Sequence, residues 1–191
     1  MSVTLLARLL SILGHPALLM PAAVAWAAHD RGAPVAVLLA AVGVSSGLAA
    51  IVGVYSLAQV RAGRWAHVDA SAPHERRTLV RFVSVLAFGA AAALWLAGQP
   101  AVLVAGLLAA GALLVCARLT RRWLKLSLHA AFAMFAATLL WPDLLPFGLA
   151  LAVAAAVAWS RCRLGRHTVP EVLAGLLAGA AAGAALGLAI R

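Results

Sequence analysis

Residues 172–190 read VLAGLLAGAAAGAALGLAI and contain no charged or polar side chain. A run of about 20 apolar residues is the length that an α-helix needs to cross the hydrocarbon core of a bilayer. Glycines recur at every fourth position, and small residues at this spacing let helix backbones approach closely in lipid. The stretch therefore predicts a transmembrane helix with one glycine face, formed by Gly175, Gly179, Gly183 and Gly187.

Apolar segments of similar length fill most of the remaining chain and alternate with polar loops. They predict an all-α fold, a polytopic membrane helix bundle of about six to seven transmembrane helices. We expect a single domain over residues 1–191, with the motif-bearing core at about residues 101–190. The predicted spans are Leu9–Ala28, Pro34–Leu57, Thr78–Gly98, Ala101–Ala117, Leu128–Trp141, Leu144–Trp159 and Val172–Ile190.

The first segment also has features of a cleaved signal peptide, because Arg8 precedes an apolar run that ends in small residues. A retained span is the favoured interpretation, since the run is long enough to cross a bilayer. In addition, the pair His15-Pro16 in its middle is unusual for a signal core.

The overall composition excludes a water-soluble fold, because 65% of the residues are hydrophobic and only 10% are charged. Fifteen Lys and Arg face five Asp and Glu, which gives a formal net charge of +10. Such a balance predicts contact with anionic lipid headgroups or with a phosphorylated substrate, and we expect no nucleic-acid partner. Cys116 and Cys162 form no spaced pair, so they predict neither a disulfide framework nor a metal site.

The basic residues collect on one side of the predicted bundle, because the loops of a seven-span chain alternate in side. The positive-inside rule then makes that side cytoplasmic in a bacterial-type inner membrane. Arg31 and Arg191 fall on the opposite side. The basic side carries Arg8, Arg61, Arg64, Arg76, Arg77, Arg81, Arg118, Arg121, Arg122, Lys125, Arg161, Arg163 and Arg166.

Two polar clusters stand at the edges of predicted spans, residues 125–129 (KLSLH) and residues 160–171 (SRCRLGRHTVPE). Polar groups at the membrane edge are costly, so such clusters indicate function. Glu171 follows His167 by four residues, where a carboxylate can reach back to an imidazole, fix its tautomer and leave the other nitrogen free. Arg161 and Arg166 offer forked donors suited to a phosphoryl group.

The second cluster resembles the third motif of the type 2 phosphatidic acid phosphatase family, which reads S-R-x5-H-x3-D. Ser160, Arg161 and His167 match that motif at its spacing, and Glu171 replaces the aspartate. The resemblance covers about residues 116–175 and implies an integral-membrane lipid phosphatase.

The first cluster resembles the family's second motif, P-S-G-H. Ser127 and His129 match it, whereas Leu126 and Leu128 stand in place of its proline and glycine. The family's first motif, K-x6-R-P, is absent as written. We expect Lys125, with Arg118, Arg121 or Arg122, to supply its positive charge, and the pair Arg76-Arg77 is the competing source.

The resemblance implies a reaction on a lipid phosphate or diphosphate without metal or cofactor. His167 attacks phosphorus to give a phosphohistidine, and His129 protonates the leaving oxygen and later activates water. Glu171 orients His167. The implied phosphate-binding residues are Arg161, Lys125, Ser127, Arg122 and Arg166, and the implied substrates are phosphatidate, phosphatidylglycerophosphate or a polyprenyl diphosphate.

Other interpretations remain open. One is a non-catalytic membrane protein of the same fold that binds lipid headgroups or acts as a scaffold, and a less favoured one is a haem-binding or quinone-binding subunit. The glycine face predicts either a seam within the bundle or a homo-oligomer contact. The loop from Arg64 to Asp69 is either a substrate gate or a solvated basic loop with an interfacial Trp65.

Overall fold

The computed structural model describes residues 2–70 and 72–189, which form a bundle of α-helices without a strand in that part of the chain. Ile190 and Arg191, the predicted end of the last span and a predicted far-side charge, lie outside the described residues. The helices are α1 (Val3–Leu13), α2 (Pro16–Asp30), α3 (Val35–Arg61), α4 (Pro73–Leu96), α5 (Ala101–Thr120), α6 (Leu128–Leu139), α7 (Leu144–Arg163) and α8 (Val169–Ala189).

Among the described residues, five helices are long and apolar enough to cross a membrane, namely α3, α4, α5, α7 and α8. A sixth span results if α1 and α2 together cross the bilayer as a bent pair. The predicted polytopic helical bundle is therefore confirmed, with five to six candidate spans where about six to seven were predicted.

The predicted span Leu128–Trp141 is wrong as a full crossing, because its helix α6 has only 12 residues. At 1.5 Å per residue such a helix covers about 18 Å, well short of the hydrocarbon thickness of about 30 Å. It packs between α2, α7 and α8 and is largely buried inside the bundle.

The predicted continuous span Leu9–Ala28 is also wrong, because the chain bends by 52° between α1 and α2. Pro16 disfavours the helical conformation of the residue before it, and His15 is extended, with φ −67° and ψ 137°. Gly14 fits the close approach to α7 here, since an added Cβ would overlap the side chain of Val157. The break places His15 inside the bundle as the N-cap of α2.

The glycine face of α8 packs against α6 of the same chain. Gly175, Gly179 and Gly183 are buried, and a Cβ on them would overlap the carbonyls of Ser127 and Ala131 and the side chain of Thr138, respectively. Because α6 covers these three positions, they are not available as a homo-oligomer contact. The position of a Cβ on Gly187, by contrast, has open space around it.

The connection between α3 and α4 is folded back onto the helices that it joins. Trp65 is buried rather than interfacial, and its ring meets Tyr55 edge to face with centroids 5.6 Å apart. The buried carboxylate of Glu75 accepts hydrogen bonds from the backbone N–H groups of Ala66 (2.7 Å) and Ala72 (2.9 Å). This loop is therefore held in place at the start of α4, while residues 66–69 are exposed.

Candidate active site

His167 lies in the turn between α7 and α8 and is 9% exposed. Its Nδ1 is 3.0 Å from Oε2 of Glu171 and 3.1 Å from the carbonyl oxygen of Lys125. Both neighbours are acceptors, so we assign the proton to Nδ1, which leaves a lone pair on Nε2. The same carboxylate oxygen accepts the N–H of Thr168 at 3.1 Å. The carboxylate of Glu171 therefore orients the imidazole, as its spacing predicts.

The turn itself follows from the sequence after α7. Gly165 has φ +64°, a left-handed conformation that glycine adopts without a steric penalty. The carbonyl of Arg161 accepts the N–H groups of Arg166 (3.0 Å) and His167 (3.2 Å) and so closes the turn. This geometry brings the backbone of His167 next to that of Arg161.

Burial, together with the positive charges of Arg76 and Lys125, lowers the pKa of His167 to about 4, and the hydrogen bond to Glu171 acts in the opposite sense. The imidazole is therefore neutral near pH 7. A neutral imidazole with a free Nε2 is the form that can attack an electrophile.

Arg161 is buried in the last turn of α7, and its guanidinium has a buried N–H group without a hydrogen-bond acceptor among the described residues. Its Nη1 donates to Oγ of Ser11 in α1 at 2.8 Å. Its Nε, also buried, makes no hydrogen bond to any described residue. An unpaired buried donor on a charged group is costly. The guanidinium is therefore prepared for an acceptor such as a phosphate oxygen.

His129 lies at the start of α6. Ser127, which precedes that helix, is 0% exposed, and its Oγ accepts the N–H of Ala130 at 3.5 Å as an N-cap. The ring of His129 meets that of His15 edge to face, with centroids 4.9 Å apart. The Nδ1 of His15 accepts the N–H of Ala17 at 3.1 Å, so its other nitrogen carries the proton in the neutral ring.

Arg76 and Lys125 bring positive charge to this cluster from two different elements. Nη2 of Arg76, in the first turns of α4, donates to the carbonyl of Leu126 at 2.5 Å. Nζ of Lys125 donates to the carbonyl of Arg166 at 2.9 Å. The charge of Arg76 acts on both His129 and His167. Burial and the charge of Arg76 lower the pKa of Lys125.

The predicted phosphate-binding residues are thus not all equivalent. The structure brings together Arg161, Lys125 and both histidines, and it adds Arg76 from the competing pair. Arg122 is exposed beyond the end of α5 and is not among the charges that act on either histidine. Arg166 has an exposed side chain near Lys125 and Arg161, and its carbonyl holds Lys125.

Ser11 and His15 belong to the cluster and were not predicted to. Their signal in the sequence is the pair His15-Pro16 in the middle of an apolar run, because an ionisable residue within a membrane segment indicates function by default. Hydropathy alone could not place them next to Arg161 and His129, which lie more than a hundred residues further along the chain.

A cavity of about 640 Å³ lies on the other side of His129, between α2, α3, α4, α5 and α6. Its walls are almost entirely apolar, and its ionisable lining residues are His15, Asp69 and His129. The volume is within the range of about 300–1,000 Å³ that is typical of ligand pockets. An apolar chain held in the cavity would present its attached headgroup to the two histidines.

Comparison of the chain with protein-family models, with curated proteins and with solved structures finds no match. The resemblance to the phosphatase family therefore rests on the motif residues themselves. Among the described residues there is no group of three or more His, Cys, Asp or Glu side chains that could hold a metal ion.

Proposed function

We propose that the protein is a membrane lipid phosphatase that hydrolyses a phosphomonoester or diphosphate through a phosphohistidine. The observation that carries the proposal is His167, a buried neutral imidazole oriented through Nδ1 by Glu171, beside the unpaired Nε of Arg161. A nucleophile held by a carboxylate, next to a buried donor that lacks an acceptor, suits attack on a phosphoryl group.

The reaction consists of two displacements at phosphorus. Burial and the charge of Arg161 lower the pKa of His129 in the free protein, so His129 takes up its proton when the phosphate anion binds beside it. Nε2 of His167 then forms a bond to phosphorus while the bond to the lipid oxygen breaks, and protonated His129 gives its proton to that oxygen. His129, now neutral, then takes a proton from water. The hydroxide attacks phosphorus, the bond to Nε2 breaks, and inorganic phosphate leaves.

Positive charge around the two histidines supports this assignment. Negative charge spreads over the equatorial oxygens during phosphoryl transfer, and fixed cations stabilise it. Arg161 in α7, Arg76 in α4 and Lys125 in the loop before α6 all act on His167, so three separate elements bring positive charge to it. Arg161 contributes the one buried donor that no described residue occupies.

The apolar cavity supports a lipid over a water-soluble phosphate ester. Its lining includes His129, the proposed acid, and its walls would bury an acyl or prenyl chain. The candidate substrates remain phosphatidate, phosphatidylglycerophosphate and polyprenyl diphosphate.

The charge bias supports an active site on the cytoplasmic side of a bacterial-type inner membrane. Cys162 lies at the end of α7 beside the proposed site. In intact cells, a cysteine introduced at Asp143, at the other end of α7, should react with an impermeant thiol reagent while Cys162 does not. The opposite pattern would put the active site on the outer face.

The test of the proposal is release of inorganic phosphate from the three lipids by the purified full-length protein, with EDTA present. The wild-type protein should release phosphate from at least one of them, and His167→Ala should release none. His129→Ala should accumulate an acid-labile phosphoprotein on a substrate with a good leaving group, because attack no longer depends on protonation. Equal release by His167→Ala and wild type would refute the mechanism.

A non-catalytic headgroup-binding protein is the second candidate, and the burial of Ser127 favours it. The serine of the resembling motif is implied to contact phosphate, whereas here its side chain is 0% exposed and caps α6. Under this alternative the same lipids bind without release of phosphate, and His167→Ala binds them as the wild type does.

A further inference from the structure

A second, basic cavity of about 350 Å³ lies between the start of α4 and the end of α5. Its charged lining consists of six cations, and Pro73, Val80 and Ala117 complete it without a carboxylate. The cations are Arg76, Arg77, Arg81, Arg118, Arg121 and Lys125.

Within the described chain the positive charge of this basic pocket is offset only in part, by Glu171, which acts on Arg76 and Lys125. Only five acidic residues are available in the sequence, and the only salt bridge among the described residues joins Glu171 to His167. Glu75 accepts two backbone N–H groups of the loop before α4. Six like charges around so small a volume repel one another, and a bound anion would relieve that repulsion.

The position of the basic pocket identifies the source of the anion as the membrane itself. It lies where two antiparallel spans end side by side, held close because Gly111 of α5 leaves room for the ring of Phe88 of α4. Trp123, just beyond α5, is 84% exposed, as expected of an aromatic anchor at headgroup depth. The N-terminal end of α4 adds its positive dipole to the same place.

The basic pocket is also distinct from the site of the proposed reaction. Arg77, Arg81, Arg118 and Arg121 are exposed and are not among the charges that act on His129 or His167. Arg76 and Lys125 lie between the two sites, and each donates one hydrogen bond to a backbone carbonyl, of Leu126 and of Arg166 respectively. An anion held by the four exposed arginines therefore occupies a second site.

We propose that this basic pocket binds the phosphate of an anionic phospholipid headgroup, with Arg77, Arg81, Arg118 and Arg121 as its donors. Arginine at the membrane surface binds phosphate through forked hydrogen bonds, and basic pockets between transmembrane helices are known hosts for such headgroups. Val80 and Ala117 provide an apolar wall for the beginning of the lipid's chains. The site holds a resident lipid and takes no part in the proposed hydrolysis.

The test measures binding rather than turnover, so it stands apart from the phosphatase assay. Full-length protein in detergent is titrated with phosphatidylglycerol and with phosphatidylcholine, and bound lipid is counted by native mass spectrometry. Phosphatidylglycerol should bind the wild type at least tenfold more tightly than phosphatidylcholine. The triple variant Arg77→Gln/Arg81→Gln/Arg118→Gln should lose most of this preference.

The matched control is Arg61→Gln/Arg64→Gln/Arg163→Gln, which removes three exposed charges from the same end of the bundle. It should keep the preference within about twofold, as expected if headgroup binding needs the pocket and not net charge. The single variant Arg121→Glu, at an exposed position, should likewise lose most of the preference for phosphatidylglycerol. Equal losses in the pocket and control variants would overturn the proposal, as would displacement of the lipid by millimolar inorganic phosphate, which would make the ligand a dissolved anion.

Discussion

The imidazole rings of His15 and His129 meet edge to face, with centroids 4.9 Å apart and ring planes at 81°. This pair joins the break between α1 and α2 to the start of α6. The break is required for the contact, because only an extended residue before Pro16 can both cap α2 and turn its ring towards α6. His15 is therefore placed to position the ring of His129, the proposed acid.

Replacement of His15 by Asn separates its two roles. The amide oxygen of Asn can accept the N–H of Ala17 as the imidazole does, so the cap is kept and stability should change little. The ring contact with His129 is lost, and we expect turnover to fall about tenfold or more on substrates with poor leaving groups. His15→Phe is the counterpart, since it keeps a ring but removes the cap. Phosphate release by His15→Asn at the wild-type rate would exclude the positioning role.

Arg76 is expected to matter more to turnover than Lys125. Its guanidinium is partly buried and acts on both histidines, whereas the ammonium group of Lys125 is exposed and bound to the carbonyl of Arg166. Arg76→Met should lower kcat on the order of 10²-fold, the effect typical of a lost transition-state donor. Lys125→Met should show a smaller loss.

Arg163→Gln is the control for positive charge, because it removes an exposed arginine from the end of α7. It should leave kcat within about twofold of the wild type, in line with weak effects of solvated charges. Should Arg76→Met match this control, the charge that binds phosphate comes from a different residue.

Glu171 is expected to act through His167 rather than on the substrate. Glu171→Gln keeps an acceptor for the N–H of Thr168 but removes the negative charge beside Nδ1, so kcat should fall by about 10²–10⁴-fold with little change in KM. Glu171→Asp keeps the charge one methylene further away, and its kcat should lie between those of the wild type and of Glu171→Gln. A rise in KM with unchanged kcat would mean that Glu171 serves substrate binding.

The long helices could be predicted from the sequence, because a helix that crosses a bilayer needs about 20 apolar residues and a hydropathy profile identifies such segments directly. The contact of Glu171 with His167 could also be predicted from their four-residue spacing, although His167 lies in the turn before α8 and only Glu171 is on the helix. Both features are local. The contact of Ser11 with Arg161 joins residues 150 positions apart and leaves no local pattern.

The two wrong spans share a physical reason. Hydropathy measures how apolar a segment is, but not whether lipid or protein surrounds it. Helix α6 is apolar because it is packed inside the bundle, so it does not need the length that crosses a bilayer. The segment through Gly14 and His15 is so apolar on average that its hydropathy does not reveal the break between α1 and α2. The conformational restriction that Pro16 imposes on the preceding residue was the available signal.

Activity should persist to unusually low pH for a histidine nucleophile. Burial and the charges of Arg76, Lys125 and Arg161 outweigh the hydrogen bond to Glu171 and lower the pKa of His167 to about 4. The acidic limb of kcat/KM should therefore lie near pH 4, not near 6.5. Arg76→Met removes one of these charges, and its acidic limb should move upwards. A wild-type limb near 6.5 would contradict the burial of a neutral His167.

Stability should follow the same pKa. Between about pH 6.5 and 4 the unfolded chain binds a proton at this histidine that the folded protein does not, so folding loses stability as the pH falls through that window. Above pH 6.5 this penalty is absent. His167→Gln should flatten the thermal stability profile over the window, measured by loss of monomer on gel filtration after heating.

The glycine face of α8 should tolerate an added methyl group only where α6 does not cover it. Gly179 faces the carbonyl of Ala131, a backbone atom that cannot move aside without shifting the helix, so Gly179→Ala should destabilise the bundle. Overpacking of this kind costs about 1–3 kcal/mol.

Gly187→Ala makes the same chemical change where a Cβ has open space, and helix propensity alone favours alanine there. The midpoint of heat-induced aggregation should therefore fall for Gly179→Ala and stay level or rise for Gly187→Ala. Because His129 lies in the first turn of α6, Gly179→Ala should also lower turnover in the protein that remains folded. Equal midpoints for the two variants would mean that α8 does not pack on α6 through this face.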